Sequence, residues 1–158
     1  MKNSISQTLT LDEIETPAPA DHTELVGVWE ASVRATHTFI EEADIQFYKP
    51  LLLKQYLPAV CLFCLRDSSR QIAGFIGIAD GNIEMLFVHP RYRGSGVGKK
   101  LLRYALQHQG ATKVDVNEQN EQAVGFYLHM GFNIIRRSPL DNMGKPYPIL
   151  HMELTVLS

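Results

Sequence analysis

A glycine-rich turn between a strand-like and a helix-like segment constrains the fold of this chain more than any other feature. Residues 83–88 form an apolar run typical of a strand, and residues 97–109 carry an apolar stripe at helical spacing. The turn from Arg93 to Gly98 reads R-G-S-G-V-G. Because glycines lack a Cβ, N–H groups at the start of the next helix can approach a phosphate closely. The order predicts an anion site, although glycine turns without a ligand also exist.

Two widespread nucleotide-binding fingerprints do not fit this turn. A Walker A loop needs glycine at position 93 and serine or threonine at position 100, where this chain has Arg93 and Lys100. A dinucleotide fingerprint that begins at Gly94 needs glycine at position 99, where the chain has Lys99. The sequence thus argues against ATP hydrolysis and NAD binding, while the three cations favour the diphosphate of another ligand.

Hydrophobic periodicity along the rest of the chain predicts an α/β protein. A capping box at Asp21 and Glu24 is expected to open the first helix, and Pro50 is expected to kink or interrupt the second, over residues 45–57. Strands are expected over 8–16, 60–65, 72–79, 83–88, 113–116, 132–137 and 149–156, and further helices over 97–109 and 121–130. This order indicates a mixed, mostly antiparallel central sheet flanked by helices. We expect a single domain over residues 1–158, in which 1–10 could form a disordered extension.

Charge and hydropathy exclude several classes of function. The chain has 158 residues and a formal net charge of −2, so it lacks the overall basic field of a nucleic-acid-binding protein. No apolar run reaches the roughly 18 residues of a membrane span, and the first residues lack the apolar core of a signal peptide. The sequence therefore predicts a cytoplasmic protein that binds neither nucleic acid nor membrane.

The cysteines and histidines show no metal-binding spacing. Cys61 and Cys64 form a C-x-x-C pattern within a strand-like run, where residues three apart point to opposite faces. We interpret both as buried apolar residues rather than as a redox or zinc pair. The six histidines include no H-E-x-x-H pair, so no metal is expected.

Two motifs together resemble the GNAT superfamily of N-acetyltransferases. The turn from Arg93 to Gly98 matches the family's R/Q-x-x-G-x-G/A motif. The run N-E-Q-A-V-G-F-Y-L-H-M-G-F, from Asn120 to Phe132, matches its N-x-x-A-x-x-F-Y-x-x-x-G-F signature. Residues 117–127 and the segment G-K-P-Y-P at 144–148 resemble a bacterial branch of the family. The resemblance implies the acyl-CoA N-acyltransferase fold of this family, with acetyl-CoA as cosubstrate.

The resemblance also implies roles for the residues around the turn. In the family, the strand before the turn and the next strand diverge, and the pantetheine arm of the coenzyme pairs with the first of them. Those backbone groups here belong to Leu86, Phe87 and Val88, and the Val88 N–H could polarise the thioester carbonyl. Asn120 matches an asparagine that contacts the cofactor, and it also suits an N-cap of its helix. The diphosphate is expected on the N–H groups of Arg93, Gly94, Ser95, Gly96, Val97, Gly98 and Lys99.

Tyr127 matches the tyrosine that often serves as general acid in the family. The thiolate that departs when an amine attacks a thioester needs a proton, and a well-placed phenol can supply it. The alternative interpretation makes Tyr127 part of an apolar core stripe. The base that deprotonates the amine stays open between Glu84, which we favour, Asp115, His37 and a chain of waters.

The leading hypothesis is an N-acetyltransferase that moves acetyl from acetyl-CoA to a primary amine of a small molecule or peptide by direct attack on the thioester. The alternative is a non-catalytic module that binds acetyl-CoA and acts through a partner. The acceptor is expected against the first two helices and the loop 139–148, and a homodimer is common among relatives. These segments contain side chains that could line an aromatic acceptor pocket, or belong to core and surface: Trp29, His37, Phe39, Tyr48 and Tyr147. A different acyl group would depend on the space around Phe87, Val88 and Phe126.

Overall fold

The strands of this chain form one sheet whose spatial order differs from the order in sequence. The computed structural model describes residues 14–37 and 40–155. Within these ranges the strands are β1 (Cys61–Arg66), β2 (Ile72–Ala79), β3 (Asn82–Val88), β4 (Lys113–Asn117), β5 (Phe132–Ser138) and β6 (Ile149–Leu154). The helices are α1 (His22–Thr36), α2 (Glu42–Leu51), α3 (Val97–His108) and α4 (Glu121–His129). The order is β1-β2-β3-β4-β6-β5, and every neighbouring pair is antiparallel except β3 and β4. The predicted mixed, mostly antiparallel sheet flanked by helices is confirmed.

Apolar side chains alternate between the two faces of the sheet and build a core on each face. On one side, Leu101 of α3 and Tyr127 of α4 pack with Ile76 of β2. On the other side, Trp29 of α1 packs with Phe75, the neighbour of Ile76 along β2. The two-residue period of a strand explains why adjacent residues enter different cores.

Helix α3 lies close against β2 because Gly74 has no side chain. A Cβ at Gly74 would lie 2.8 Å from Cγ1 of Val97 and 3.0 Å from the carbonyl oxygen of Phe87. Real Cβ atoms do not approach other heavy atoms that closely, so a larger residue would push α3 away from the sheet. This contact fixes the start of α3 beside the end of β3.

Among the described strands, the one parallel pair separates after two residue pairs. Asn82 lies opposite Lys113 and Ile83 lies opposite Val114, and β3 and β4 pair no further. The later part of β3 therefore has backbone hydrogen-bonding groups at an edge that no strand covers. This separation produces the gap that holds the candidate site.

A bulge in β3 lies beside the point of separation. Ile83 pairs with Ile78 of β2 and Met85 pairs with Gly77, so Glu84 is an extra residue with no partner in the register. Bulges bend a strand and increase its twist, which turns the rest of β3 away from β4.

The first helix does not begin with the predicted capping box, and that prediction is wrong. The Asp21 carboxylate accepts a hydrogen bond from the N–H of Ala18 at 2.8 Å, within a short 3-10 turn. The Glu24 carboxylate accepts from the N–H of Ile72 in β2, also at 2.8 Å. Both carboxylates therefore serve backbone groups outside α1.

The second helix begins at Glu42, three residues before the predicted start. Its last turn contains Pro50, and the chain continues as a π-helical segment, Leu52–Tyr56. Proline has no N–H to donate to the carbonyl four residues earlier. Pro50, which was expected to interrupt the helix, therefore explains why the chain continues in the wider π-helical form.

The remaining corrections concern single residues and the ends of the chain. Cys64 is buried, which raises the pKa of its thiol to about 11, but Cys61 is exposed and the prediction that it is buried is wrong. Of the first predicted strand, residues 8–13 lie outside the described ranges, and Glu15 forms an isolated bridge with Cys64. The predicted extension 1–10 and residue 156 also lie outside them. None of the described helices is both long and apolar enough to cross a bilayer.

Candidate active site

The gap between β3 and β4 opens into a cavity of about 780 Å³. Its walls come from the end of α1, β3, the glycine turn, the start of α3, β4 and α4. Arg93 and Lys99 line it beside the turn, whereas Glu84 and Asp115 line it near the point where the strands still pair. At about 3.3 Å per residue, the stretch of β3 between Glu84 and Val88 extends roughly 13 Å. The cavity therefore has a cationic end and an acidic end.

Most backbone N–H groups of the glycine turn have no carbonyl partner. The N–H of Arg93 donates to Pro90 and that of Ser95 donates to Tyr92, both at 3.2 Å. The first intrahelical bond runs from Lys100 to Gly96 at 3.0 Å. Within the described chain the remaining N–H groups of the turn bond to no carbonyl; they belong to Gly94, Gly96, Val97, Gly98 and Lys99. A run of unpaired donors at a helix start is the arrangement that binds a phosphate.

The conformation of the turn requires glycine at two positions. Gly94 has φ of +79° and Gly96 has φ of +88°, in the left-handed region that side chains disfavour. A Cβ at either position would meet no atom within 4 Å, so both face open space. Gly96 is the N-cap of α3, which places this open space directly before the unpaired donors.

Two side chains of the turn differ in their relation to the cavity. Arg93 lines the cavity and donates from its guanidinium to the side-chain carbonyl of Gln122 on α4, so it spans from the turn to the opposite wall. Ser95 donates from its hydroxyl to the carbonyl of Tyr92 and is the one predicted cofactor residue that does not line the cavity.

The uncovered edge of β3 runs along the cavity from Leu86 to Val88. Leu86 and Val88 pack against the core under α3 and α4. Phe87 points to the other face, where its ring centroid lies 5.9 Å from that of Phe75. The strand is thus anchored on both faces while its edge toward β4 stays open.

Tyr127 lies in the wall of the cavity, opposite this edge. Only 5 % of the residue is exposed, and its ring packs edge-on against Phe126 and Phe132, with centroids 5.1 Å and 5.4 Å away. Burial raises the pKa of the phenol, so it is protonated at neutral pH. Burial is the one cause of this raised pKa, since no described residue forms a hydrogen bond to the hydroxyl. Both interpretations from the sequence are compatible with this placement, since the ring is in the core and the residue also reaches the cavity.

Asn120 holds the start of α4 and reaches across to the end of α1. Its Oδ1 accepts from the N–H of Ala123 at 3.2 Å, as an N-cap does, so its Nδ2 points the other way. Nδ2 lies 3.1 Å from Nε2 of His37. Nδ1 of His37 lies 2.8 Å from Oγ1 of Thr36, which in turn donates to the carbonyl of Ser32 at 2.8 Å. Each of these hydrogen bonds has one donor and one acceptor when His37 is neutral and carries its proton on Nδ1.

The environment of His37 weighs against its role as the base. Burial lowers the pKa of the imidazole to about 4, which favours the neutral form but makes it a weak proton acceptor. The lone pair of Nε2, where a proton would be added, already accepts from Asn120. The link between His37 and Asn120 had no signal in the sequence.

The two candidate carboxylates have different partners. Oε2 of Glu84 accepts from Nδ2 of Asn82 at 2.6 Å. Oδ1 of Asp115 lies 2.7 Å from Nδ1 of His151 on β6, and Nε2 of that ring lies 2.7 Å from Oγ of Ser138 on β5. Sequence reasoning missed His151 and Ser138, because only the register of three strands brings them to Asp115.

Of the five side chains expected around the acceptor, His37 lines the cavity and three others have different roles. Trp29 is buried in the core under α1, and Phe39 lies outside the described residues. Tyr48 of α2 donates to the Asp141 carboxylate at 2.7 Å, and Tyr147 donates to the Asp44 carboxylate. None of these three side chains lines the cavity.

The loop between β5 and β6 is instead tied to α2 through polar contacts. Nζ of Lys145 lies 3.1 Å from Oδ1 of Asp44 and 4.9 Å from the centroid of the Phe47 ring. The hydroxyl of Tyr56 donates to the sulfur of Met143 at 3.2 Å. These contacts join the second helix and the loop, two of the segments that the sequence assigned to the acceptor, into one unit.

Comparison with known proteins gives a family and several relatives. The family model described as an acetyltransferase (GNAT) domain matches residues 32–155. The chain is 40 % identical over 129 residues to the peptidyl-lysine N-acetyltransferase YjaB of Escherichia coli. The matched region covers 82 % of this chain and 87 % of that protein. The similarity to a bacterial branch that residues 117–127 and 144–148 predicted is confirmed.

Solved structures show the same fold. The solution structure of apo-form YjaB from Escherichia coli matches with a TM-score of 0.82 and 36 % identity, and covers 91 % of this chain and 97 % of that one. The PaiA N-acetyltransferase of Thermoplasma acidophilum, solved with coenzyme A, matches with a TM-score of 0.68. The two chains are 21 % identical, and the match covers 90 % of this chain and 98 % of the other, so this second likeness shows the fold alone.

Proposed function

Because the chain belongs to the GNAT family of acetyltransferases, which take an acetyl group from acetyl-CoA, we propose that its acceptor is the side-chain amine of a lysine in a peptide or protein. The observation that supports a cationic acceptor is the acidic end of the cavity, where Glu84 and Asp115 lie together. A lysine side chain is an ammonium at neutral pH and is attracted to such a pair. The relative YjaB is named as a peptidyl-lysine N-acetyltransferase, which favours lysine over a small amine.

The residues at the cationic end of the cavity fit the coenzyme. We assign the diphosphate to the five unpaired N–H groups of the turn, with Arg93 and Lys99 as counter-charges. The N–H groups of Arg93 and Ser95 are left out of this assignment, because the turn uses them internally. We assign the pantetheine arm to the uncovered edge of β3 at Leu86, Phe87 and Val88, where it would pair as an added strand. Bound there, acetyl-CoA supplies the thioester that the amine attacks.

We assign proton donation at the leaving sulfur to Tyr127. Burial keeps its phenol protonated, which is the state that an acid needs, and its hydroxyl has no competing acceptor among the described residues. The Val88 N–H would polarise the thioester carbonyl from the opposite wall. In this arrangement Asn120 acts as a cap and as the partner of His37, and any contact with the coenzyme would be an additional role.

We assign the amine to the acidic end, between Glu84 and Asp115. A carboxylate beside the ammonium holds it and takes one of its protons, which frees the nitrogen lone pair for attack on the thioester. The end of α1 and the unit formed by α2 and the β5–β6 loop would receive the rest of the peptide. A cytoplasmic location and a homodimer stay predictions from the sequence.

The proposed acceptor is tested with matched substrates. A peptide with a blocked N-terminus and one lysine is compared with the same peptide that carries glutamine, and with spermidine and an aminoglycoside. Thiol release from acetyl-CoA gives kcat/KM, and mass spectrometry identifies the acetylated nitrogen. We expect the lysine peptide to be modified on Nε with the highest kcat/KM. Turnover on the small amines with none on the peptide would contradict the assignment.

A further inference from the structure

Asp115, His151 and Ser138 form a continuous hydrogen-bonded chain on one face of the sheet. Asp115 and His151 are directly opposite in the register of β4 and β6, and Ser138 lies opposite Ile149, two residues from His151 along β6. Side chains in such positions share a face and lie within reach of one another. The links are 2.7 Å between Asp115 and His151 and 2.7 Å between His151 and Ser138. No other carboxylate of the cavity has an imidazole behind it among the described residues.

Asp115 and His151 differ in exposure, and this difference shows which end of the hydrogen-bonded chain a ligand can reach. The Asp115 side chain is 40 % exposed and lines the cavity, while the His151 side chain is 14 % exposed and does not line it. Val114 and Val116, on either side of Asp115 in sequence, are buried in the core on the opposite face. Asp115 is therefore the end of the chain that a ligand can reach, and His151 lies behind it.

We propose that Asp115 is the proton acceptor for the attacking amine and that His151, with Ser138 behind it, is the positioning residue that orients the Asp115 carboxylate. This inference rests on the proposed function and chooses between the two carboxylates that the cavity contains. Within the described part of the chain, Glu84, which the sequence favoured, is held only by the amide of Asn82, and it belongs to a bulge. Asp115 belongs to a strand that is paired with β6 along all five of its residues.

The hydrogen bonds define the proton positions. An ionised Asp115 accepts from Nδ1–H of His151, which leaves Nε2 to accept from the hydroxyl of Ser138. Asp115 takes one proton from the ammonium: an N–H bond breaks, an O–H bond forms, and the lone pair left on nitrogen forms the C–N bond. The nitrogen releases its second proton to solvent as the C–S bond breaks, and the leaving sulfur takes a proton from Tyr127. Asp115 then returns its proton to solvent, and the Tyr127 phenolate regains one from solvent. Nδ1–H stays on His151 throughout, so the imidazole fixes the carboxylate without exchanging a proton with the substrate.

Further charged residues lie near this chain on β3, β4, β5 and β6. Arg136 of β5 is opposite His151 in the register, and Arg137 pairs with Glu118 at 2.8 Å. Lys113 and Glu153 are opposite each other at the start of β4. Glu84 of β3 is the remaining carboxylate that lines the cavity.

The test compares variants at His151 and Asp115 with a surface histidine as control. His151→Leu removes both hydrogen bonds, His151→Asn keeps an amide donor near the position of Nδ1, and His129→Gln changes an exposed histidine at the end of α4. We expect Asp115→Asn to lower kcat on the lysine peptide by roughly 10²-fold or more. We expect His151→Leu to lower kcat roughly 10-fold to 100-fold with the KM values for the peptide and for acetyl-CoA unchanged, because the carboxylate loses its orientation while the cavity keeps its lining. His151→Asn should restore most of the lost kcat.

Three outcomes would overturn the inference. The first is kcat unchanged in Asp115→Asn, the second is a kcat in His151→Leu that equals that of His129→Gln, and the third is Ser138→Ala without any activity. The third would make Ser138 a nucleophile, and a covalent acetyl adduct on the protein without acceptor would show the same. Acetyl-CoA affinity is measured throughout; if His151→Leu fails to fold, Asp115→Asn, at an exposed residue, decides the question. A wild-type protein that acetylates no lysine peptide would instead contradict the proposed function.

Discussion

The side-chain amide of Asn120 donates a hydrogen bond to Nε2 of His37 at 3.1 Å, across 83 positions of sequence. The contact joins the first turn of α4, where the family places a cofactor ligand, to the residue that ends α1. Since Nε2 is engaged and His37 is mostly buried, protonation of the ring costs both desolvation and a hydrogen bond. The first prediction follows from that cost.

Acidification should destabilise the protein through His37. The pKa of His37 is about 4 when folded and near 6.5 as a free side chain, so the unfolded state binds the proton first. Stability contributed by the neutral ring is complete above pH 6.5 and is lost as the pH falls toward 4, by as much as about 3 kcal/mol. Urea unfolding of the wild type and of His37→Gln at several pH values in this window measures the difference. Parallel pH dependences in the two proteins would show that His37 is not the cause.

Replacement of Tyr127 by phenylalanine should reduce turnover and leave binding intact. The ring contacts with Phe126 and Phe132 are kept, so the fold and the cavity wall should not change. Loss of the general acid should lower kcat by roughly 100-fold, with acetyl-CoA affinity within error of the wild type. Stopped assays of thiol release and calorimetric titration with coenzyme A provide the two values. A variant that turns over at the wild-type rate would leave Tyr127 as a core residue only.

Gly96→Ala should weaken coenzyme binding more than an equally strained substitution elsewhere. Gly96 and Gly110 both have left-handed φ, +88° and +64°, and a Cβ at either meets nothing within 4 Å. Both alanine variants should lose about 1 kcal/mol of stability from backbone strain. Only Gly96→Ala adds a methyl group among the unpaired N–H groups, so only it should raise the Kd for coenzyme A, by about tenfold. Equal Kd values in the two variants would argue against the turn as the diphosphate site.

Asp44→Asn should loosen the unit formed by α2 and the β5–β6 loop. The buried Asp44 carboxylate accepts from Tyr147 and lies 3.1 Å from Nζ of Lys145. Loss of its charge should cost about 1–3 kcal/mol in stability and raise KM for the peptide, with KM for acetyl-CoA unchanged. Glu42→Gln is the control, since Glu42 is an exposed acid on the same helix that pairs with Arg34. A KM for acetyl-CoA that rises in parallel would mean that the whole cavity, and not the acceptor side, had been disturbed.

Local patterns predicted the elements of the fold better than they predicted the contacts between them. The limits of β2 and the start of α3 were predicted correctly, because apolar periodicity and glycine punctuation act over a few residues. The prediction of a capping box at Asp21 failed because the Glu24 carboxylate accepts a hydrogen bond from a backbone N–H of β2, and this tertiary contact competes with the local cap. A single-sequence pattern has no means of weighing that competition.

The same difference between local patterns and tertiary contacts applies to the candidate site. The glycine turn and Tyr127 belong to contiguous motifs, so the sequence predicted, except for Ser95, residues that line the side of the cavity that we assign to the coenzyme. His151 and Ser138 lie on strands whose neighbours are set by the order β4-β6-β5, and nothing near them in sequence signals Asp115. The prediction that Cys61 is buried failed for a related reason. Alternation along a strand places the two cysteines on opposite faces, but it does not tell which face the rest of the protein covers.

The brief pairing of β3 with β4 has a consequence for how the two halves of the sheet respond to heat. Strands β1 to β3 and strands β4 to β6 each hold together by long antiparallel ladders, but only two residue pairs join one group to the other. A coenzyme that fills the opening would add contacts to both groups at once. Ligand occupancy would then determine whether the two groups melt together or separately, and amide protection along the later part of β3 would report it most directly.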